Sequence, residues 1–202
     1  MMKNLSRFFL QRSDKQTNNQ GVTLIELLVV VVIITILSAI ALPSFVKVAK
    51  GKVECYSGTG HCYEFVSRQW TWTKAKVMAE IRSYKGSRGY LATITSQGEQ
   101  DFIVSNFTTT SWGGWIGATD AGEEGVWQWV TGPETGTVFW NNGEEIGYNN
   151  FATNQPNDFY GQEDYAHLGY FIENAWNDII NDTSGIKNED HQVVGYYVEY
   201  GD

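Results

Sequence analysis

The hydrophobic and polar positions divide the chain into one long apolar stretch and a longer mixed region. Residues 22–42 contain a single charged side chain, Glu26. As a helix this stretch would span roughly 30 Å, the thickness of a bilayer core. Basic side chains precede it, which is typical of a span whose amino-terminal end faces the cytoplasm. The pattern therefore predicts an amino-terminal transmembrane helix, with the rest of the chain outside the membrane.

Beyond residue 50 the apolar positions recur at the spacings of short strands and amphipathic helices. Residues 61–65 alternate between apolar and other side chains, which predicts a strand. Trp72, Ala75 and Ala79 recur at helical spacing and predict a helix with one buried face.

Ser96 and Glu99 have the spacing of a capping box and predict the start of a second helix. Trp127 and Trp129 alternate along one segment, which indicates a buried sheet face rather than a platform for sugar. A turn is predicted at residues 139–143. Further strands are predicted at residues 90–94, 115–120, 124–130 and 193–200, the last of them placed to pair with the first.

Composition indicates a folded and acidic chain. Aromatic residues make up 14% of its 202 residues, which is enough for a sizeable core. The formal net charge is −9, and an acidic exterior disfavours nucleic acid as a partner and suits bound cations. The three histidines have no nucleophile at a readable spacing. No catalytic residues are therefore expected, and an enzyme is the weakest of the function classes.

Cys55 and Cys62 are the only cysteines and lie close together in the sequence. A thiolate metal site normally needs further Cys or His ligands, and only His61 is adjacent. A small-loop disulfide is the preferred interpretation if this region lies in an oxidising compartment.

Residues 151–178 hold a dense set of side-chain oxygens that no Lys, Arg or Cys interrupts. Calcium is the natural occupant, because hard divalent cations take about six to eight oxygen ligands. Pro156 adds a rigid turn that can aim the neighbouring amide oxygens at one point. For any single residue, a solvated acidic loop is the alternative. The set comprises Gln155, Asn157, Asp158, Glu163, Asp164, Asn177 and Asp178.

The apolar stretch of residues 22–42 has two simple interpretations, a plain membrane anchor and a secretory signal peptide. A plain membrane anchor needs only its length, and a secretory signal peptide would use a shorter apolar region before small residues such as Ala39 and Ala41. Neither interpretation explains Glu26. A carboxylate inside the bilayer costs on the order of 3 kcal/mol and is functional by default.

Gly21, the run 23–29 with Glu26, and Pro43 resemble the class III signal of type IV pilins and pseudopilins. The resemblance implies that a prepilin peptidase cleaves between Gly21 and Val22 and methylates the new amino terminus. Val22 departs from the pattern, since Phe or Met is commoner there. The resemblance also implies that Glu26 pairs with the terminal amine of a neighbouring subunit during assembly.

The region from Cys62 to Tyr200 resembles the C-type lectin-like domain. That resemblance implies an α+β fold with two helices, antiparallel sheets and a long calcium-binding loop region. The matching motifs are Trp72 with Ala75, Leu91–Ile94 with Ser96 and Glu99, Trp115–Gly117, Glu124–Trp127 and Trp176–Asp178.

The same resemblance implies two calcium sites. In the first, a tripeptide centred on a cis proline, a later Glu and an Asn-Asp pair hold the calcium that binds sugar. These positions are Gln155, Asn157, Glu163, Asn177 and Asp178. A second, structural calcium is implied at Asp120, Glu124, Asp158, Glu163 and Asp164.

The chain departs from the family pattern in its cysteines and its tripeptide. Ala79 and Val198 stand where a long-range disulfide is usual. Tyr165 and Asn181 stand where the family has a disulfide in the site loop. Each such bond contributes roughly 2–5 kcal/mol, so the aromatic core and bound calcium are expected to contribute more. Residues 155–157 read Gln-Pro-Asn, which matches neither the mannose-type Glu-Pro-Asn nor the galactose-type Gln-Pro-Asp.

These interpretations combine into a minor pilin or pseudopilin that binds carbohydrate through calcium and acts as an adhesin. The alternative is a structural subunit in which calcium only stabilises a lectin-like domain that contacts protein partners. The expected partners are a glycan, other pilin or pseudopilin subunits, the prepilin peptidase and the membrane.

Before assembly the chain would cross the inner membrane once with its lectin-like domain in the periplasm, and afterwards it would lie in a pilus or at the cell surface. The expected segments are a leader (1–21), a pilin-type helix and stalk (22–50), a linker with the small disulfide loop (51–61) and the lectin-like domain (62–202).

Overall fold

The computed structural model describes Ile25 and residues 27–31, 51–107, 113–170, 174–186 and 193–201. The chain divides into two compact units, Met1–Lys47 and Val48–Asp202, and we call the second unit the head. In the first unit the described residues are helical and exposed. Gly21, Val22 and Glu26 lie outside the described residues. Among the residues that are described, no helix combines the length and the apolar character that a membrane crossing requires.

Two helices of the head form where the apolar spacing predicts them. α1 spans Trp72–Glu80 and α2 spans Gln97–Phe107. At the start of α1, the Thr71 hydroxyl accepts a hydrogen bond from the backbone N–H of Lys74 (3.2 Å). At the start of α2, the Ser96 hydroxyl accepts one from the backbone N–H of Glu99 (3.3 Å). The predicted capping position of Ser96 is therefore confirmed.

Eleven strands lie within the described part of the head. They are β1 (Val53–Cys55), β2 (Cys62–Val66), β3 (Ser83–Tyr84), β4 (Ser87–Leu91), β5 (Gly114–Thr119), β6 (Val126–Trp129), β7 (Val138–Asn141), β8 (Glu144–Glu145), β9 (Tyr165–Tyr170), β10 (Ala175–Ile179) and β11 (Gly195–Tyr200).

Strand β11 connects the parts of the sheet. It pairs antiparallel with β2 and with β4, and parallel with β5. The pairing with β2 confirms that the terminal strand joins the first predicted one. Strand β5 also pairs with β6 and with β9, and β9 pairs with β10. The acidic loops that follow β5 and precede β9 are thereby brought together.

Two local predictions need correction. The predicted turn at residues 139–143 is mostly strand β7, and the turn is confined to Asn142 and Gly143, whose φ angles are 48° and 92°. The predicted linker before Cys62 contains strand β1, which pairs with β2. The Cys55–Cys62 disulfide is confirmed and joins these two strands.

The core is rich in tryptophan. Trp127 and Trp129 are each 1% exposed, which confirms that they belong to the sheet and are not a sugar platform. Trp176, which precedes the Asn-Asp pair, is fully buried and contacts Trp129 edge to face, with ring centroids 5.6 Å apart. The Trp176 indole N–H also donates to the Gln100 side chain of α2 (2.9 Å). Packing and a hydrogen bond therefore fix the start of the site strand β10.

Non-covalent contacts occupy the positions where the family resemblance implied disulfides. The ring of Tyr165 packs against Trp72 of α1, with centroids 4.9 Å apart. The Asn181 side-chain oxygen accepts a hydrogen bond from the backbone N–H of Thr73 (3.1 Å). Ala79 and Val198 are both fully buried in one apolar cluster. Helix α1 is therefore held to the site strands by packing and by a hydrogen bond at its amino-terminal end.

Candidate functional site

The loop after Phe151 is held in place by a carboxylate from β10. The Gln155–Pro156 peptide bond is cis, as the family resemblance implied. The backbone N–H groups of Asn157 and Asp158 both donate to Asp178 Oδ2, at 2.8 and 2.7 Å. Asp178 is fully buried, so these two hydrogen bonds stabilise its charge inside the protein.

Strand pairing orients the neighbouring Asn177. Asn177 lies opposite His167 of β9, and its Nδ2 is 3.3 Å from His167 Nε2. The same Nδ2 donates to the backbone carbonyl of Asp178. With the amide nitrogen engaged on that side, the Asn177 side-chain oxygen points the other way. Asn177 is 4% exposed, so its amide is held by the sheet and is not free to rotate.

Three side-chain oxygens of this loop and strand are buried without a hydrogen-bond partner among the described residues. They belong to Gln155 (Oε1), Asn177 (Oδ1) and Asp178 (Oδ1). A buried acceptor without a partner costs about 1–3 kcal/mol, and three from one small region form an unusual concentration. Carboxylate and amide oxygens are the donors that hard divalent cations prefer, so this set fits such a cation.

Glu163 connects the loop to its second half. Its backbone N–H donates to Asp158 Oδ1 (3.1 Å), and its Oε2 accepts from the backbone N–H of Phe159 (3.1 Å). Burial raises the pKa of Glu163 to about 7; the hydrogen bond from the Phe159 N–H opposes this shift, and the nearby charges of Asp178 and Asp158 contribute to it. A cation at this position would reverse that effect, because it favours the ionised carboxylate.

A second acidic cluster lies beside the first. Asp120, Glu124 and Asp164 each place a carboxylate oxygen within 4.8 Å of the others, so they could hold a metal ion. Asp120 Oδ2 accepts from the backbone N–H of Gly125 (3.0 Å), and its buried Oδ1 has no hydrogen-bond partner among the described residues. Burial raises the pKa of Asp120 to about 7, with Glu124 and Asp164 adding to the shift.

Of the five residues expected at the second site, the structure therefore gathers Asp120, Glu124 and Asp164 into one cluster. Asp158 and Glu163 are joined to each other by a hydrogen bond. Asp158 lies close enough to Glu124 for its charge to raise the pKa of Glu124, although burial has the larger effect on that pKa. The two predicted sites are thus electrostatically connected.

A pocket of about 480 Å³ opens next to the first set of oxygens, and we call it the site pocket. The predicted residues among its polar lining, which we call the polar side, are Gln155, Asn157, Glu163 and Asn177; Gln162, which was not predicted, also lines it. Its other side is apolar and includes Phe159 and the isoleucines that follow β10. Sequence reasoning missed this apolar side, and the only available signal was the adjacency of two aromatic residues at positions 159 and 160.

A buried network around Glu99 and Glu199 was also missed. The Tyr63 hydroxyl donates to Glu99 Oε1 (2.9 Å) and lies 3.2 Å from Glu199 Oε1. His61 Nδ1 is within hydrogen-bond distance of the same Glu199 oxygen. Burial raises the pKa of Glu199, and the His61 ring opposes that shift. His61, Glu99 and Glu199 form a third group that could hold a metal ion. The sequence indicated only a capping role for Glu99.

Comparison with known proteins identifies both parts of the chain. Residues 16–42 match the prokaryotic N-terminal methylation motif, and residues 68–184 match the lectin C-type domain. The match to the methylation motif includes Gly21, Val22 and Glu26.

Halomucin of Haloquadratum walsbyi is 44% identical over 149 residues, which are 71% of this chain and 2% of that protein. The hepatic lectin of Gallus gallus is 34% identical over 122 residues, which are 59% of this chain and 49% of that protein. The chain thus spans less than two thirds of either relative. Among solved structures, the carbohydrate-recognition domain of the mouse scavenger receptor C-type lectin superposes with a TM-score of 0.53 at 25% identity, covering 73% of this chain and 93% of that domain.

Proposed function

Because the chain belongs to the family of C-type lectin domains, we propose that its head is a calcium-dependent carbohydrate-binding module on a pilin-like subunit. The observation that carries this proposal is the set of buried oxygens on Gln155, Asn177 and Asp178 that have no hydrogen-bond partner in the part of the chain that the structure describes. These atoms come from two segments that the strand β10 and its hydrogen bonds to the loop bring together.

The residues that would hold the first calcium are those of the polar side of the site pocket together with Asp178. When bound, the ion supplies open coordination positions for two vicinal sugar hydroxyls. The amides of Gln155 and Asn157 would donate hydrogen bonds to those hydroxyls, and the Glu163 carboxylate would accept one. Asp178 positions the loop through its two backbone hydrogen bonds.

The second acidic cluster would hold a structural calcium. Asp120, Glu124 and Asp164 would supply carboxylates, with Asp158 and Glu163 adjacent to them. Like charges so close together repel in the absence of a cation, so the loops are expected to be ordered by the ion.

The Gln-Pro-Asn tripeptide should weaken binding or alter its selectivity. One sugar hydroxyl would face two amide donors, from Gln155 and Asn157, in place of an amide and a carboxylate. A carboxylate only accepts hydrogen bonds, whereas an amide can both coordinate and donate. The hydrogen-bond pattern offered to the hydroxyls therefore differs from both common types.

The amino-terminal motif supports the proposal of a filament subunit. A prepilin peptidase would cleave between Gly21 and Val22, and Glu26 would pair with the terminal amine of the next subunit. Before assembly the chain would be anchored in the inner membrane with its head in the periplasm. After assembly the head would be displayed in a pilus or at the cell surface.

A structural role is the second candidate, and the Asp178 and Glu163 contacts favour it. Both carboxylates already accept hydrogen bonds from the loop backbone. Calcium could therefore serve only to rigidify the head, which would then contact other subunits or a protein partner.

A glycan array, probed with the full chain in nanodiscs with calcium and again with chelator, separates the two candidates. Retention on any glycan that requires calcium is the result expected of a lectin. Uniform absence of retention, combined with measurable calcium binding, would leave the structural role.

Calcium affinity is expected to fall as the pH drops through about 7. Burial raises the pKa of Asp120 and of Glu163 to about 7, so below that pH both carboxyls must lose a proton before they coordinate the ion. These folded pKa values exceed the ordinary ones, so the calcium-free head should gain stability as the pH falls from about 8 to 5. In saturating calcium both carboxyls stay ionised in the folded and in the unfolded chain over this range, so the stability of the calcium-bound head should change little with pH, and the stabilisation by calcium should shrink as the pH falls.

Melting curves across this pH range, with excess calcium and with chelator, check both trends. If the rise in melting temperature caused by calcium stays constant from about pH 8 to 5, these two carboxyls are not calcium ligands.

A further inference from the structure

The lining of the site pocket contains two chemically different sets of residues. The predicted calcium ligands and Gln162 are the polar set, which we call the polar end, and the apolar set, which we call the apolar wall, is Phe159, Tyr160, Ile179, Ile180 and Ile186. The volume, about 480 Å³, falls in the range of about 300–1,000 Å³ that is usual for small-molecule sites. A ligand that fills the pocket therefore contacts both ends.

The two aromatic residues of the wall lie outside the core. Phe159 is 59% exposed and Tyr160 is 84% exposed, and their ring centroids are 4.2 Å apart. Tyr160 has a φ of 62°, in the left-handed region that a bulky residue rarely adopts. The loop thus holds two large rings at the surface at a conformational cost, which is a feature that binding sites share.

Hydrogen bonds connect the polar end of the pocket to the loop that carries the aromatic residues of the apolar wall. The backbone N–H of Phe159 donates to Glu163 Oε2, and that of Asp158 donates to Asp178 Oδ2. Both acceptors are predicted calcium ligands. The position of the aromatic pair relative to the calcium end is therefore set by the same carboxylates that would hold the ion.

The isoleucines form the aliphatic part of the wall. Ile179 ends β10 directly after Asp178 and is buried, while Ile180 and Ile186 are half-buried against the same core cluster. None of these side chains offers a hydrogen bond, so an unsubstituted polyhydroxy ligand would gain little from them. The described residues that line the pocket also include no Lys or Arg, which disfavours an anionic substituent.

We propose that the site pocket selects a sugar bearing an apolar substituent, either an acyl group or an apolar aglycone, beside the vicinal diol that binds calcium. This inference rests on the proposed lectin function and specifies its ligand class. The diol occupies the polar end, and the substituent covers Phe159, Tyr160 and Ile180. Each methylene group buried there contributes about fourfold in affinity.

The test measures dissociation constants for the full chain in lipid nanodiscs, with calcium and with chelator. One series compares methyl with hexyl glycosides of galactose and of mannose, and a second compares N-acetyl with N-butyryl derivatives of the amino sugars, so that charge is the same within each pair. In calcium, the hexyl or the N-butyryl ligand should bind at least about tenfold more tightly than its methyl or N-acetyl counterpart, which is the less substituted sugar of the pair. The series that shows the gain identifies the substituent as an aglycone or an acyl group.

Substitutions in the apolar wall test whether it causes the gain in affinity. Tyr160→Ser and Ile180→Ser should each reduce the ratio of substituted to unsubstituted affinity towards one. Ile146→Ser is the matched control, because Ile146 is 55% exposed and does not line the pocket. Tyr160 is 84% exposed, so its substitution leaves the fold intact and keeps the test valid.

Three outcomes would overturn the inference. Equal, calcium-dependent affinity for substituted and unsubstituted sugars would remove it and leave the lectin function standing. A gain that persists in chelator would show apolar adsorption unconnected with the calcium end. Calcium binding without affinity for any of these sugars would overturn the inference, and retention on the glycan array would then decide separately whether the lectin function stands.

Discussion

Replacement of Asp178 by Ala is expected to abolish calcium binding at the first site and to lower the melting temperature of the head. Asp178 is fully buried, and its Oδ2 accepts two hydrogen bonds from the loop backbone. Each such bond to a charged acceptor contributes about 1.5–3 kcal/mol, and both are lost together. Removal of the carboxylate also removes a predicted ligand, so calcium affinity should fall by more than about tenfold.

Calcium itself should stabilise the wild-type head. At about 100 times the dissociation constant an ion stabilises the folded state by about 2.7 kcal/mol per site. For a chain of this size that free energy corresponds to roughly 5–10 °C in the melting temperature. In Asp178→Ala the increment from the first site should disappear, while the increment from the Asp120 cluster should remain.

Calorimetric titration with calcium and melting curves with and without chelator measure these effects. Asp182→Ala is the control, because Asp182 is an exposed carboxylate on the same segment, and it accepts a hydrogen bond from the backbone N–H of the nearby Ser184. Asn177→Ala tests the amide oxygen separately. Unchanged titration in both Asp178→Ala and Asn177→Ala would refute the assignment of the first site.

Replacement of Glu26 by Ala is expected to prevent incorporation of the subunit into filaments while the head still folds and binds calcium. Glu26 is the only charged side chain in residues 22–42, where a carboxylate costs about 3 kcal/mol unless it has a partner. The variant should insert into the membrane at least as well as the wild type, since it removes that cost. It should lack the partner for the amine of the neighbouring subunit.

Fractionation of cells into membrane and sheared filaments, with detection of the head, measures incorporation. Glu123→Ala, which removes an exposed carboxylate of the head, controls for charge. Cleavage after Gly21 should proceed in both variants and is read from the mass of the mature chain. Wild-type levels of Glu26→Ala in the filament fraction would count against the pilin-like role.

Local pattern was sufficient for the elements that depend on neighbouring residues. The spacing of Trp72, Ala75 and Ala79 predicted α1 because only one helix face needs to be apolar. The short separation of Cys55 and Cys62 predicted their disulfide. The motif beginning at Gly21 predicted the pilin-type signal. In each case the signal lies within a few residues, so no long-range contact was required to see it.

Short strands were predicted less well. Val53–Cys55 was taken as linker and Val138–Asn141 as part of a turn. Strands of three or four residues have too few alternating positions to carry a pattern, and they form because another strand offers backbone partners. For β1 that partner is β2, to which the disulfide also joins it.

Motifs that resemble two known families were enough to predict the class of the fold and the pilin-type signal, and residue identity was enough to predict the chemical types of the candidate ligands. Three features emerge only from the folded chain: which oxygens are buried without partners among the described residues, the hold of Asp178 on the loop some 20 residues before it, and the apolar wall in the same pocket as the polar end. Burial and proximity arise when β9, β10 and the loop pack together. Their effect on pKa, hydrogen bonding and ligand fit therefore cannot be read from the order of residues.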